Sequence, residues 1–327
     1  MKERFKKFIN KTKAIFSDPD QRQGFFNDIA KFFMSLVRVL ILVGVGYAIV
    51  SPLIGMFVSS IASTSDIYDP MMYVLPKYPT LEKYKLVIER MDYFKTIGRD
   101  ILYVVSLTLI QVFVCSFVGY GFARFKFPLK NLFFACVVLM ITIPMHTIML
   151  PVYMTFKNMD PFGLATKLTG TPGVMGTVIP MYLMTIFACG VRSGLYIYIF
   201  NQFFRGLPKE IEEAAYVDGA SVWYTYFRIM LVNAKPAIVT VAVFSLVWQF
   251  NDTFYSNLFL ISENVVISKK IASLAAVIAN QDLILNVTLQ EQYVNAGALL
   301  VVLPILLIYI ILQKQFIEGV ERSGIVG

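Results

Sequence analysis

Arg205 to Pro236 reads RGLPKEIEEAAYVDGASVWYTYFRIMLVNAKP, a polar and well-punctuated stretch in a chain that is otherwise mostly apolar. Pro208 suits the first position of a helix, where a missing N–H loses no bond. Glu210, Glu212 and Glu213 load the first turns with negative charge, which complements the positive end of the helix dipole. Asp218-Gly219 is a turn signal that closes this helix. Ser221 is suited to cap a second helix, which carries Trp223, Phe227, Met230 and Leu231 along one stripe. The stretch therefore reads as two short helices joined at a glycine turn and set between long apolar segments.

Those flanking segments define the class. The chain has 327 residues, 57% of them hydrophobic and only 15% charged, with a mean hydropathy of +0.67. A soluble domain of this size has no interior large enough for so much apolar surface, so the composition indicates a polytopic membrane protein. Cys115, Cys136 and Cys189 lie inside apolar runs and read as packing residues rather than disulfides or metal ligands. His146, the single histidine, has no Cys or His beside it, and no metal site is expected. The formal net charge of +8 follows membrane topology and does not call for nucleic acid.

Residues 1–31 form a basic segment, and the apolar run at 32–58 is too long for a cleaved signal core, so it reads as a first, uncleaved span. Five more candidate spans fall at 100–123, 131–154, 176–204, 237–261 and 294–312, leaving a tail at 313–327. With the N-terminus inside, the inner segments carry 17 Lys/Arg and the outer ones 10. That excess puts both termini and the 205–236 loop in the cytoplasm. The expected fold is therefore an all-α membrane protein of six transmembrane helices with a two-helix cytoplasmic loop.

Glu213-Ala214-Ala215, Asp218-Gly219-Ala220, Ile229 and Leu231 together resemble the EAA loop of ABC-importer permeases. The family's Leu-Pro ending is replaced by Leu231-Val232, which leaves the kink softer or carried by Pro236. Further segments resemble the carbohydrate-uptake branch: Pro79-Thr80-Leu81 through Tyr84, the run Tyr120 to Pro128, Ile143-Pro144 through Tyr153, and Trp248, Asn251 and Phe254. The last span and tail, with Ala296-Gly297, Pro304, Gln313, Phe316, Gly319 and Gly324, are most similar to the second permease of maltose-type importers. The resemblance covers about residues 32–327 and implies the type I importer permease fold.

By that resemblance the chain is a prokaryotic cytoplasmic-membrane subunit of a sugar or oligosaccharide importer. Its implied partners are a second permease subunit, two ATP-binding subunits and an extracytoplasmic solute-binding protein. The loop residues Glu213, Ala214, Ala215, Asp218, Gly219, Ala220, Ile229 and Leu231 would meet an ATP-binding subunit, and Gln313, Gly319 and Gly324 of the tail would be a second contact. The chain itself has no phosphate-binding loop: Gly170, Gly173 and Gly176 are not followed by Lys-Ser/Thr. ATP and Mg²⁺ are accordingly expected on the partner subunits, with no cofactor, catalytic site or metal on this one. Rival readings are an ABC importer of a non-sugar solute and an ATP-independent secondary transporter, though no internal repeat supports the latter.

Arg192 stands within the fourth span between Gly190 and Gly194. A charge there must face protein or water, and the two glycines suggest an interrupted helix lining a cavity. Arg192 is a candidate for the solute path with Trp248, Gln249, Asn251, Asp252 and Tyr255; a structural Arg–Asp pair is the alternative. The aromatic residues there could stack a sugar ring or form an interfacial belt.

Overall fold

The computed structural model describes residues 19–68, 76–160, 163, 166–167, 170, 173–262 and 264–324, and among these it is helical with no strand. Residues 1–18 of the basic N-terminal segment, residues 69–75 of the first outer loop and residues 325–327 of the tail lie outside that set. The helices are α1 (Pro19–Ile61), α2 (Glu82–Arg90), α3 (Tyr93–Arg124), α4 (Lys130–Thr142), α5 (Met149–Lys157), α6 (Ile179–Ile186) and α7 (Ser193–Gly206). They continue as α8 (Glu210–Val217), α9 (Val222–Asn233), α10 (Lys235–Phe250), α11 (Phe254–Leu258), α12 (Ile267–Gln281) and α13 (Val287–Gly324).

Helix α3 is the axis of the bundle and packs on α7, α10, α6 and α2. Its contact with α7 is made backbone to backbone. A Cβ at Gly119 would lie 2.6 Å from Phe200 Cβ and 3.1 Å from Ile197 O, the close approach that small residues permit between membrane helices. Gly194 does the same for α7 on α4, since a Cβ there would meet Val137 O at 2.9 Å. Tyr120, Tyr196, Phe200, Phe204, Tyr226 and Met230 fill the half of the core nearest α8 and α9. A second cluster around Tyr103, Leu107, Phe156 and Phe259 fills the other half.

Among the described residues, three helices are long and apolar enough to cross a bilayer unaided: Ala30–Ile61, Tyr93–Arg124 and Val287–Ile311. Two bent pairs reach that length together, Lys130–Thr142 with Met145–Lys157 at 106° and Val222–Asn233 with Lys235–Phe250 at 76°, making up to five. Three of the six candidate spans are therefore bent or divided, the one at 176–204 where Gly190 and Gly194 suggest an interruption. At 131–154 the cause is Pro144, which lacks an N–H and holds Ile143 extended at ψ 122°. At 176–204 the segment divides into α6 and α7, with Ala188 and Arg192 both left-handed at φ 59°. At 237–261, α10 stops at Phe250 and α11 restarts after Thr253, with Asp252 accepting hydrogen bonds from the N–H groups of Tyr255 (3.2 Å) and Ser256 (3.0 Å).

The last helix runs the other way and exceeds its expected span at both ends, reaching from Val287 through the predicted tail to Gly324. Pro304 lies inside it and cannot bond the carbonyl four residues back, that of Leu300. Tyr93 Oη donates to this carbonyl instead, at 2.8 Å.

The Pro79-Thr80-Leu81…Tyr84 segment also acquires a physical role. Thr80 N–H donates to Ile61 O at 2.7 Å, closing the C-terminus of α1. Tyr84 Oη bonds Ser60 Oγ at 2.7 Å. Lys83, 2% exposed, donates its ammonium to the carbonyls of Ser59 and Ala62, a cation placed at the negative end of a helix. Burial pulls the Lys83 ammonium down to about 8, against the opposing pull of Asp66.

Candidate functional site

The Arg205–Pro236 stretch folds as two short helices. Helix α8 starts at Glu210, two residues later than Pro208 would have it, and Lys209 O accepts the N–H groups of Glu212 and Glu213. Its end is closed by two backbone bonds, Ala220 N–H to Ala215 O (2.9 Å) and Gly219 N–H to Tyr216 O (3.0 Å), with Gly219 left-handed at φ 80°. This pattern satisfies the last carbonyls of a helix and favours glycine at its left-handed residue. Ser221 then caps α9, its Oγ accepting Tyr224 N–H at 3.2 Å.

The two faces of α8 differ in chemistry. Glu210, Glu213, Ala214 and Val217 are exposed, and their i, i+3, i+4, i+7 spacing puts them on one stripe. The opposite face, Glu212 and Ala215, is buried. Glu212 Oε2 is ion-paired to Arg124 Nε at 2.8 Å, with the side chains 9% and 7% exposed. Tyr120 Oη donates to Glu212 Oε1 at 2.6 Å, and Arg124 Nη2 donates to Leu207 O at 2.8 Å. Sequence reasoning took Glu212 only as a charge at a helix dipole and gave Arg124 no partner. The signal available was the i, i+3 spacing of Glu212 and Ala215, which marks one inward face.

Helix α9 does not carry its predicted stripe intact. Residues Thr225–Met230 form a π turn, and the extra residue rotates the rest of the helix. Trp223 and Phe227 stay 59% and 43% exposed, whereas Met230 is fully buried and Ile229 and Leu231 are half-buried. Trp223 stacks on Phe117 of α3 at 5.6 Å and Phe227 on Phe113 at 6.2 Å. Tyr226 turns inward and bonds Ser116 Oγ at 2.8 Å. The bend after α9 is sharp, at 76°, and Pro236 sits in the first turn of α10. Gln313, Gly319 and Gly324 continue α13, and Gln313 is exposed.

The six solute-path candidates separate. Arg192 is exposed, with its guanidinium carbon 4.3 Å from the centre of the half-exposed Trp248 ring, a cation–π geometry. Gln249 turns inward: its amide donates to Gln111 Oε1 (3.0 Å) and Ser245 Oγ (2.7 Å). Gln111 in turn donates to Val191 O (2.7 Å) and Ser193 Oγ (2.9 Å). This buried network pairs a carbonyl freed by the helix break, the condition on which non-helical backbone survives at membrane depth. Tyr255 is buried among Phe254 and Phe259. Asn251 is exposed and donates to Val247 O at 2.9 Å, and Asp252 caps α11. Among the described residues no ion pair joins Arg192 to Asp252, and no group of three His, Cys, Asp or Glu is disposed to hold a metal.

The chain is 24% identical to the arabinooligosaccharides transport system permease protein of Bacillus subtilis, over 77% of this chain and 81% of that one. It is 26% identical to the diacetylchitobiose uptake system permease protein of Streptomyces coelicolor, over 84% and 83%. Its fold matches a chain of a bacterial ABC transporter involved in the import of the acidic polysaccharide alginate, with a TM-score of 0.68 at 19% identity, covering 88% of this chain and 98% of that chain. The profile of the family described as "binding-protein-dependent transport system inner membrane component" matches residues 112–322, from the middle of α3 nearly to the end of α13. With its bundle, its two-helix loop and that match across most of its length, the chain belongs to this family of ABC transporter permeases.

Proposed function

We propose that this chain is the membrane-spanning subunit through which a sugar or oligosaccharide enters the cell, driven by ATP hydrolysed on a partner. The sugar class rests on the arabinooligosaccharide and diacetylchitobiose permeases among its relatives. The observation that carries the coupling role is the outward stripe of α8. Glu213 and Ala214 are exposed beside Val217, which is 87% exposed, and across the Gly219 turn lie Val222, Trp223 and Tyr224, 46%, 59% and 56% exposed. An apolar, aromatic surface with an acidic centre is the chemistry of a docking site. It fits a basic cleft on an ATP-binding subunit, which supplies ATP and Mg²⁺; no cofactor is assigned to this chain. A second permease subunit covers α1, whose most apolar stretch has no residue buried within the chain. A solute-binding protein delivers from the outside, and both termini and the α8–α9 loop face the cytoplasm of a prokaryotic cell. Arg192 and Trp248 line the solute path.

Purification of the whole transporter tests this reading. Glu213→Lys with Ala214→Arg is expected to release the ATP-binding subunits while the permease pair stays intact. Full retention of those subunits, or solute uptake at the normal rate without them, would sink the docking role.

A further inference from the structure

The buried face of α8 carries a second role, and this inference rests on the docking reading above. A docking surface only helps if the element bearing it cannot slip against the bundle. Helix α9 is held to α3 by packing, with Tyr226 and Met230 buried beside Tyr120 and Tyr226 bonded to Ser116 Oγ at 2.8 Å. The rings of Trp223 and Phe227 lie on Phe117 and Phe113 largely in the open, and stacked rings slide at little cost. The Arg124–Glu212 contact is different in kind. It is charged, at 2.8 Å, with both side chains nine-tenths or more buried. The second carboxylate oxygen is held by Tyr120 Oη at 2.6 Å, and the guanidinium also grips Leu207 O in the connection before α8 at 2.8 Å. Slippage would strand a charge away from water, which opposes separation of the pair.

The middle of the same helix carries a second fixed point. Gln111, 13 positions before Arg124 on α3, holds Val191 O and Ser193 Oγ at the helix break and, through Ser245 and Gln249, holds α10. Helix α3 therefore joins the loop at its inner end to the break beside Arg192 at its middle.

We propose that the Arg124–Glu212 pair, with Tyr120, is the joint that makes α8 and the inner end of α3 move as one body, so that displacement delivered to α8 reaches the break at Arg192. Glu212 is then a positioning residue for transport, distinct from Glu213 on the docking face.

The test uses the complete transporter in lipid vesicles, with binding protein and solute on the outer side and ATP on the inner. Glu212→Gln, and Arg124→Met combined with Glu212→Leu, are compared with Glu213→Ala. Both joint variants are expected to keep the ATP-binding subunits attached and to hydrolyse ATP, yet to move about tenfold less solute per ATP. An unchanged ratio of solute to ATP in both would overturn the joint. Glu213→Ala reports separately on docking: if it leaves the subunits bound with full affinity, the docking reading fails while the joint remains measurable. A second measurement covers the case in which a joint variant does not assemble. Spin labels at Lys209→Cys and Leu109→Cys, with the three native cysteines replaced, mark the residue before α8 and the stretch of α3 beside Gln111. Their separation is expected to be the same without nucleotide and with a trapped ATP analogue. A change beyond the width of the distance distribution overturns the proposal.

Discussion

Arg192 places its guanidinium 4.3 Å above the Trp248 ring while its own backbone sits at φ 59°. The first relationship stabilises the charge; the second opposes the residue, because a left-handed L-residue costs roughly 1–2 kcal/mol. Ala188 at the same break has the same φ, so this backbone marks the break itself.

Arg192→Gly separates the two effects. It relieves the backbone and removes the cation, so the melting temperature in detergent should hold or rise while solute flux falls. Loss of a cation–π contact of about 0.5–2 kcal/mol corresponds to roughly a two- to thirtyfold reduction. Trp248→Ala should lower flux in the same direction, and Trp248→Phe by less. Flux equal to the parent protein in both Arg192→Gly and Trp248→Ala would remove the pair from the solute path.

Gly119→Ala should loosen the central helix pair. The added Cβ would sit 2.6 Å from Phe200 Cβ, so α3 and α7 must separate or distort, at about 1–3 kcal/mol. The expected result is a clear drop in thermal stability. A melting temperature unaltered by this substitution would mean that the two helices are not in backbone contact.

Gly219→Ala meets no neighbour within 4 Å and strains only the backbone, at φ 80°. The end of α8 should fray, by about 1–2 kcal/mol. Limited proteolysis at 217–221 ought to accelerate, while Gly219→Asn, which tolerates the left-handed region, should be cut more slowly than the alanine variant. Equal cleavage of all three would argue against this closure of α8.

The ion pair of Arg90 with Asp282 joins α2 to the end of α12 through bonds of 2.6 and 3.0 Å. Arg90's hydrogen bonds hold the Asp282 carboxyl below its ordinary range. A depressed carboxyl contributes stability that is complete above its unfolded value and lost as pH falls through its folded value. Hydrogen exchange at the end of α12 should therefore be steady at neutral pH and quicken below about pH 4. In Asp282→Asn it should be fast throughout, with no such step. High salt will reduce the contrast, because the pair is partly exposed.

The all-helical class and the two-helix loop were legible because each has a local cause. Apolar runs of span length and the Ser221 cap act over a few residues, as does the Gly219 turn. The interruption beside Arg192 was legible from Gly190 and Gly194, whereas the bend at Pro144 was not, since hydropathy counts apolar residues and is blind to direction. Pro144 and the left-handed Ala188 and Arg192 bend or interrupt segments that remain greasy throughout. The division of labour between adjacent glutamates was also hidden. Glu212 and Glu213 are alike in sequence, and only the position of α3 decides which one meets Arg124. Gln249 was grouped with Trp248 by proximity in the chain, yet one step along a helix turns a side chain by about 100°, enough to take it from an open face into the Gln111 network.

Tyr93's hold on the carbonyl that Pro304 leaves unserved makes α13 a rod with a pinned knuckle. The pin belongs to the far end of α3, not to α13 itself. Rigidity in this protein is thus on loan from one helix to another.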